Sequence, residues 1–131
     1  MSARTRELFD RYHAGWEARD PDRIADLHTE DSIFHLHLGQ PPARGRAEVR
    51  RAAAENFSLV PDLTFTMVSL RTGEDFWVVQ FKLSGTAVTG VPLDADLADF
   101  VLVEAGAVKE KHSYVDGVAM QAVLPPIEAT R

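Results

Sequence analysis

The chain has no cysteine among its 131 residues. That removes disulfide frameworks, thiol nucleophiles and thiolate zinc sites from consideration. Positive charge is also short: 14 Lys and Arg stand against 20 Asp and Glu, a formal net charge of −6. With no basic stripe interleaved with aromatics, no nucleic-acid partner is expected, and a small neutral or cationic ligand suits the charge better. No apolar run is long enough to span a bilayer, and the opening stretch MSARTRELFD lacks the apolar centre of a signal peptide. The expectation is a cytoplasmic protein with no membrane partner.

Hydrophobic residues make up 45% of the chain, enough for one globular domain over 1–131. Its core is expected over about 6–118, with PPIEATR (125–131) as a frayed tail. Leu8, Tyr12 and Trp16 recur every four residues with Phe9 beside them, which predicts an amphipathic helix over 5–19. In RDPDRIADLH, Asp20 can cap a second, short helix whose first position suits Pro21 and whose buried face holds Ile24 and Leu27. After SIFHLHLG, the prolines of QPPARG predict a loop. A third helix is expected from about Arg46, with Val49, Ala53 and Phe57 on one face, ending before Pro61.

The second half changes character. LTFTMVSLR, FWVVQFKL, LADFVLVE and VKEKHSYVD are rich in β-branched and aromatic residues, divided by TGED, the long SGTAVTGVPLDAD, and AG. They predict four long strands in an antiparallel meander, hence an α+β fold with its helices gathered in the first half. GVAMQAVL reads equally as a strand end or a short helix.

The segments RYHAGWEARDPDRIADLHTEDSIF, PPARGRAEV and ADFVLVEAGAVKEKHSYVD, taken in this order of elements, resemble the nuclear transport factor 2-like superfamily, and within it the SnoaL-like and ketosteroid isomerase-like proteins. The resemblance implies a cone-shaped half-barrel (nuclear transport factor 2-like, cystatin-like): a curved mixed, mainly antiparallel sheet closed by three N-terminal helices around a pocket. It implies cofactor-free general acid/base isomerisation, cyclisation or dehydration of a hydrophobic carbonyl compound, polyketide-, terpenoid- or steroid-like. It also implies a homodimer through the sheet. The alternative is a non-catalytic ligand-binding or dimerisation domain of the same fold. By resemblance, Tyr12 and a protonated Asp99 hold the substrate's oxyanion, while the position of the proton-shuttling base falls on Leu36, which cannot move a proton. The late-strand aspartate of SnoaL-like cyclases falls on Asp116 or Asp99.

Strand parity bears on the same residues. Asp99 shares a face with Leu97, Val101 and Val103, where desolvation would favour its neutral, hydrogen-bond-donating form; the opposite face carries Phe100 and Leu102. On the last strand Val108, Glu110, His112, Tyr114 and Asp116 alternate with Lys109, Lys111, Ser113 and Val115. Burying two lysines is costly, so their face is expected at solvent or a subunit boundary. That aims His112, Tyr114 and Asp116 at the pocket, with His112 or Asp116 as proton carrier. In SIFHLHLG, Leu36 shares a face with Phe34 and Leu38, so His35 and His37 point away from the pocket. A bulge near Gly39 could turn one inward, which keeps His35 as a second proton-transfer candidate. No metal site is expected, because only His13, His28 and His112 remain as further imidazole ligands. Trp16, Leu36, Phe57, Trp77, Phe81, Val101 and Tyr114 are the expected ligand-binding wall.

Overall fold

A computed structural model describes residues 2–123 of the chain. The element order is α1 (Ser2–Glu17), α2 (Pro21–Asp26), β1 (His28–Leu36), β2 (Ala43–Arg44), α3 (Gly45–Leu59), β3 (Thr64–Thr72), β4 (Phe76–Thr86), β5 (Pro92–Glu104), β6 (Ala107–Val115) and α4 (Gly117–Gln121). The expected tail at 125–131 lies outside the described residues.

The helices form where local chemistry predicts them. Leu8, Phe9, Tyr12 and Trp16 give α1 a buried stripe. The helix ends in a left-handed Arg19 (φ 53°), with Arg19 N–H donating to Trp16 O and Asp20 N–H to Gly15 O. The Asp20 carboxylate then accepts from the amides of Asp22 and Arg23 at 3.1 and 3.2 Å, opening α2. In α3, Val49 and Ala53 are buried.

The six strands form one sheet in the order β2-β1-β6-β5-β4-β3. Among the described residues only β1 and β6 run parallel; the other pairs are antiparallel. The mixed, mainly antiparallel sheet closed by N-terminal helices is the expected fold, with three differences. Within QPPARG, Ala43 and Arg44 form a short strand against Phe34 and Ile33, since only Pro41 and Pro42 lack a ladder donor. The β4–β5 ladder reaches Thr86 opposite Pro92, so the connection is much shorter than the expected loop; Pro92 is tolerated at the strand's first position. Finally, α4 is a fourth helix, nucleated by the Asp116 side chain, which accepts from Val118 N–H and Ala119 N–H.

One irregularity decides which side chains enter the core. Leu102 pairs with Glu110, but Val103 pairs with Val108, so Lys109 is an extra residue in β6. This β-bulge reverses the alternation. Val108 is buried before it, and Lys111 and Ser113, not Glu110 and His112, are buried after it. The concave face also receives His28, Ser32 and Phe34 from β1, Trp77, Val79, Phe81 and Leu83 from β4, and Leu93, Ala95, Leu97, Asp99 and Val101 from β5. Helix α1 lies across this face, with Phe9 and Tyr12 against Trp77 and Trp16 against Phe34.

Candidate active site

Register places an ion pair in the middle of the concave face. Lys111 sits between Phe34 of β1 and Val101 of β5, while Asp99 lies directly opposite Ser113. Ser113 Oγ–H donates to Asp99 Oδ1 at 2.6 Å, and Lys111 Nζ stands 3.7 Å from Asp99 Oδ2, an ion pair longer than a hydrogen bond. Both charged side chains are about 6% exposed. The Lys111 ammonium is roofed by Trp16, Tyr12 and Phe34, at 4.2, 4.9 and 5.0 Å from the ring centroids, where the negative ring faces replace part of its lost hydration. Burial nevertheless pushes Lys111 below the usual lysine range, against the opposing effect of Asp99.

A second polar chain adjoins this pair. Tyr12 Oη lies 2.8 Å from His28 Nε2, and His28 Nδ1 lies 3.1 Å from Ser32 Oγ. Burial, aided by the positive charges of Lys111 and Arg46, lowers the His28 pKa to about 3, so the imidazole is neutral. One ring nitrogen therefore donates and the other accepts. Burial raises the Tyr12 phenol far above its usual range, with the Asp99 charge adding to the effect. The nearby Trp16 indole N–H opposes this rise, by more than the Asp99 charge adds to it. It makes no hydrogen bond, and among the described residues Trp16 Nε1 is the buried side-chain donor without a partner.

An apolar cavity of about 70 Å³ reaches this polar floor; Trp16, Phe34, Leu36, Phe65, Lys111 and Ser113 are among its walls. A cleft of about 310 Å³ between β1, β2 and α3 shares Phe34, Leu36 and Asn56 with it. A smaller void beside the ion pair touches Tyr12, Trp77, Phe81, Asp99 and Lys111.

The sequence-predicted residues divide accordingly. Tyr12, Asp99, Trp16, Leu36, Trp77 and Phe81 meet at the cavity or the void, and Phe57 packs on Trp16 at 5.4 Å. Val101 is fully buried in the core, outside the wall of either space. The facing of the last strand is the reverse of expectation: His112 and Tyr114 lie on the sheet's outer face, and Asp116 is exposed and caps α4. The bulge at Lys109 is the cause. Asp99 also differs from expectation in its hydrogen bonding, since its neighbours Ser113 and Lys111 are both donors and the carboxyl accepts. Sequence reasoning missed Lys111, Ser113, His28 and Ser32. The available signal was the pair Val108 and Val115, whose opposite parity cannot put both on one face of a regular strand.

His35 and His37 do face away from the cavity. Their ring centroids lie 3.8 Å apart with the planes tilted by 35°, and His37 stacks on Tyr114 at 4.3 Å. His37 is held below the usual histidine value by partial desolvation and by the neighbouring His35 and His112.

A curved sheet and helices enclosing an apolar cavity with a charged floor define a cone-shaped α+β pocket domain. A family model described as a SnoaL-like domain matches residues 9–111, and the chain belongs to that family. Solved structures share the fold at low identity. A proposed SnoaL-like polyketide cyclase from Jannaschia sp. CCS1 is 22% identical, with 95% of each chain covered and a TM-score of 0.82. A protein of ketosteroid isomerase-like fold from Catenulispora acidiphila, solved with trimethylamine, is 16% identical, with 91% of this chain and 94% of that chain covered and a TM-score of 0.80. A phenazine biosynthesis-related protein from Pseudomonas aeruginosa is 16% identical, with 98% and 92% covered and a TM-score of 0.78. No curated protein matches the chain. Among the described residues no helix is long and apolar enough to cross a membrane.

Proposed function

We propose that the chain is an enzyme performing cofactor-free general acid/base isomerisation, cyclisation or dehydration of a small hydrophobic carbonyl compound, polyketide-, terpenoid- or steroid-like. The carrying observation is the buried Asp99–Lys111 pair: Lys111 and the unpartnered Trp16 indole line both the apolar cavity and the small void beside it, and Asp99 lines the void. Buried ionic groups cost stability, and a cavity of this lining would be more stable without them. An apolar ligand would enter by the cleft and reach through the cavity to the void that Asp99 and Tyr12 line, its carbonyl oxygen toward Lys111 and Trp16, which border both spaces. In enolisation the C–H bond next to the carbonyl breaks, its proton passes to the Asp99 carboxylate, and its electron pair forms the new C=C bond. The carbonyl π pair then rests on oxygen, opposite the Lys111 ammonium. Asp99 returns the proton to another atom of the substrate, which completes an isomerisation. With His28 protonated on Nε2, the Tyr12 oxygen accepts and its O–H is free to donate to the same oxyanion.

Leu36 at the cavity wall favours a second reading, a binding domain without chemistry, because it offers no proton shuttle. Both readings are separated by measuring turnover and binding of a panel of hydrophobic enones, β-diketones and hydroxyketones. Asp99→Asn and Tyr12→Phe should each cost roughly 10²–10⁴-fold in kcat for a converted compound. Tight binding without turnover by wild type, or undiminished turnover by both folded variants, would reject the enzyme reading.

A homodimer through the sheet and a cytoplasmic location belong to the same proposal. The dimer is supported by the outer face, where Val68, Phe100 and Tyr114 are 63%, 42% and 54% exposed. Sedimentation should show a dimer that Phe100→Lys with Tyr114→Glu converts to a folded monomer; a wild-type monomer at high concentration would sink this part.

A further inference from the structure

The outer face gathers three imidazoles that the pocket does not use. His35 and His37 share a face of β1 and its extension, and the parallel register sets His35 beside His112 of β6. Each offers a ring nitrogen, and the three nitrogens lie within 4.8 Å of one another. His37 Nε2 and His112 Nδ1 are already 3.0 Å apart. In a tetrahedral zinc site, with bonds of about 2.0–2.1 Å, neighbouring ligand nitrogens stand roughly 3.3 Å apart. Rotation of the partly exposed rings would bring the remaining nitrogen, within 4.8 Å, to the same spacing.

The neighbours of these rings fix which nitrogens are free. Glu110 Oε1 lies 3.1 Å from His112 Nε2, and the Gln40 carbonyl oxygen lies 3.1 Å from His35 Nε2. Both oxygens are acceptors, so each of these Nε2 atoms carries the proton, leaving Nδ1 of His35 and of His112 unprotonated, the latter accepting from His37 Nε2–H until a metal displaces that proton. A carboxylate or carbonyl behind each ring is the arrangement that orients metal-binding histidines. His37, held against Tyr114, supplies Nε2 once its proton moves to Nδ1. Glu110 also offsets part of a dication's charge.

From this geometry we propose that His35, His37 and His112 form a binding site for a borderline divalent transition-metal ion of the Zn²⁺ class on the outer face of the sheet. Glu110 and the Gln40 carbonyl orient the ligands. The fourth position is left to water or to a group from another molecule. The bulge at Lys109 produces this site as well as the pocket, since the same reversal that turns Lys111 inward turns His112 outward.

The test is calorimetric titration of ZnCl₂ into the full chain, without an affinity tag and freed of metal by chelation, with the visible absorption of Co²⁺ reporting tetrahedral coordination. The expected result is one ion per chain in wild type and loss of that binding in His37→Ala and in His112→Ala. Glu110→Gln should weaken it by about 10–100-fold, as removal of an orienting partner does. All three positions lie at least partly exposed on the outer face, and circular dichroism checks that each variant folds. Absence of binding to wild type, or equal binding by wild type and a folded His37→Ala/His112→Ala double variant, would overturn the site.

Discussion

Lys111 and Asp99 share a setting that neither would tolerate alone. Each has left water for a place among Trp16, Tyr12, Phe34 and Trp77, and each supplies the other's nearest opposite charge. Lys111→Met would leave a buried carboxylate with Ser113 as its hydrogen-bond partner, and Asp99→Leu would leave an ammonium facing only rings. Each single substitution should therefore cost about 3–5 kcal/mol, whereas the double variant should recover most of the loss or exceed wild-type stability by about 1–4 kcal/mol. Urea unfolding of the four proteins measures the coupling directly. Losses that simply add would show that the pair is not coupled. The double variant, folded but stripped of its charged groups, should also be inactive if the pair performs proton transfer, which separates its role in stability from its role in chemistry.

At the scale of elements, regular pattern was legible and irregularity was not. The four-residue recurrence of Leu8, Tyr12 and Trp16, and the Asp20-Pro21 start of α2, carry their own local physics, so those helices could be read from sequence. The long strands were legible for the same reason, as was the inward facing of Leu36 and Asp99: the end of β1 from Ser32 onward and the stretch of β5 around Asp99 both alternate regularly. The last strand broke this logic. Its lysines argue for a solvent face on desolvation cost, and that argument is right for Lys109, whose ammonium reaches Asp31 at 2.6 Å. It fails for Lys111 because the cost is offset by a carboxylate from a neighbouring strand and by ring faces from α1 and β1, none of which are local in sequence. The extra residue itself follows the two-residue turn at Ala105 and Gly106, both with positive φ, where the hairpin's tight reversal joins a strand that must still bury both Val108 and Ser113. A single unpaired residue thus sets the composition of both faces: ion pair inside, imidazoles outside.

For the molecule as a whole, His28 links pH to folding. The residue is fully buried where α1, β1 and β6 converge: Tyr12 and Ser32 hold its ring, and Arg46 of α3 donates to its carbonyl oxygen at 2.9 Å. The charges that face it are Lys111 and Arg46, both positive, and both oppose its protonation along with burial. Its pKa falls from 6.5 to about 3 on folding, so between these values the unfolded chain binds a proton that the native protein refuses. Stability from keeping this ring neutral is fully present above pH 6.5 and is lost as pH falls from there toward 3, by on the order of 4–5 kcal/mol in all. Between pH 7.5 and 5 the loss should be roughly 2 kcal/mol. His28→Gln retains an amide that can bond Tyr12 and Ser32 but cannot take up the proton. It should be less stable than wild type at pH 7.5, yet show a shallower decline across that interval in urea unfolding. The remaining histidines are common to both proteins and cancel in the comparison, so parallel declines would show that His28 does not set the acid sensitivity of the fold.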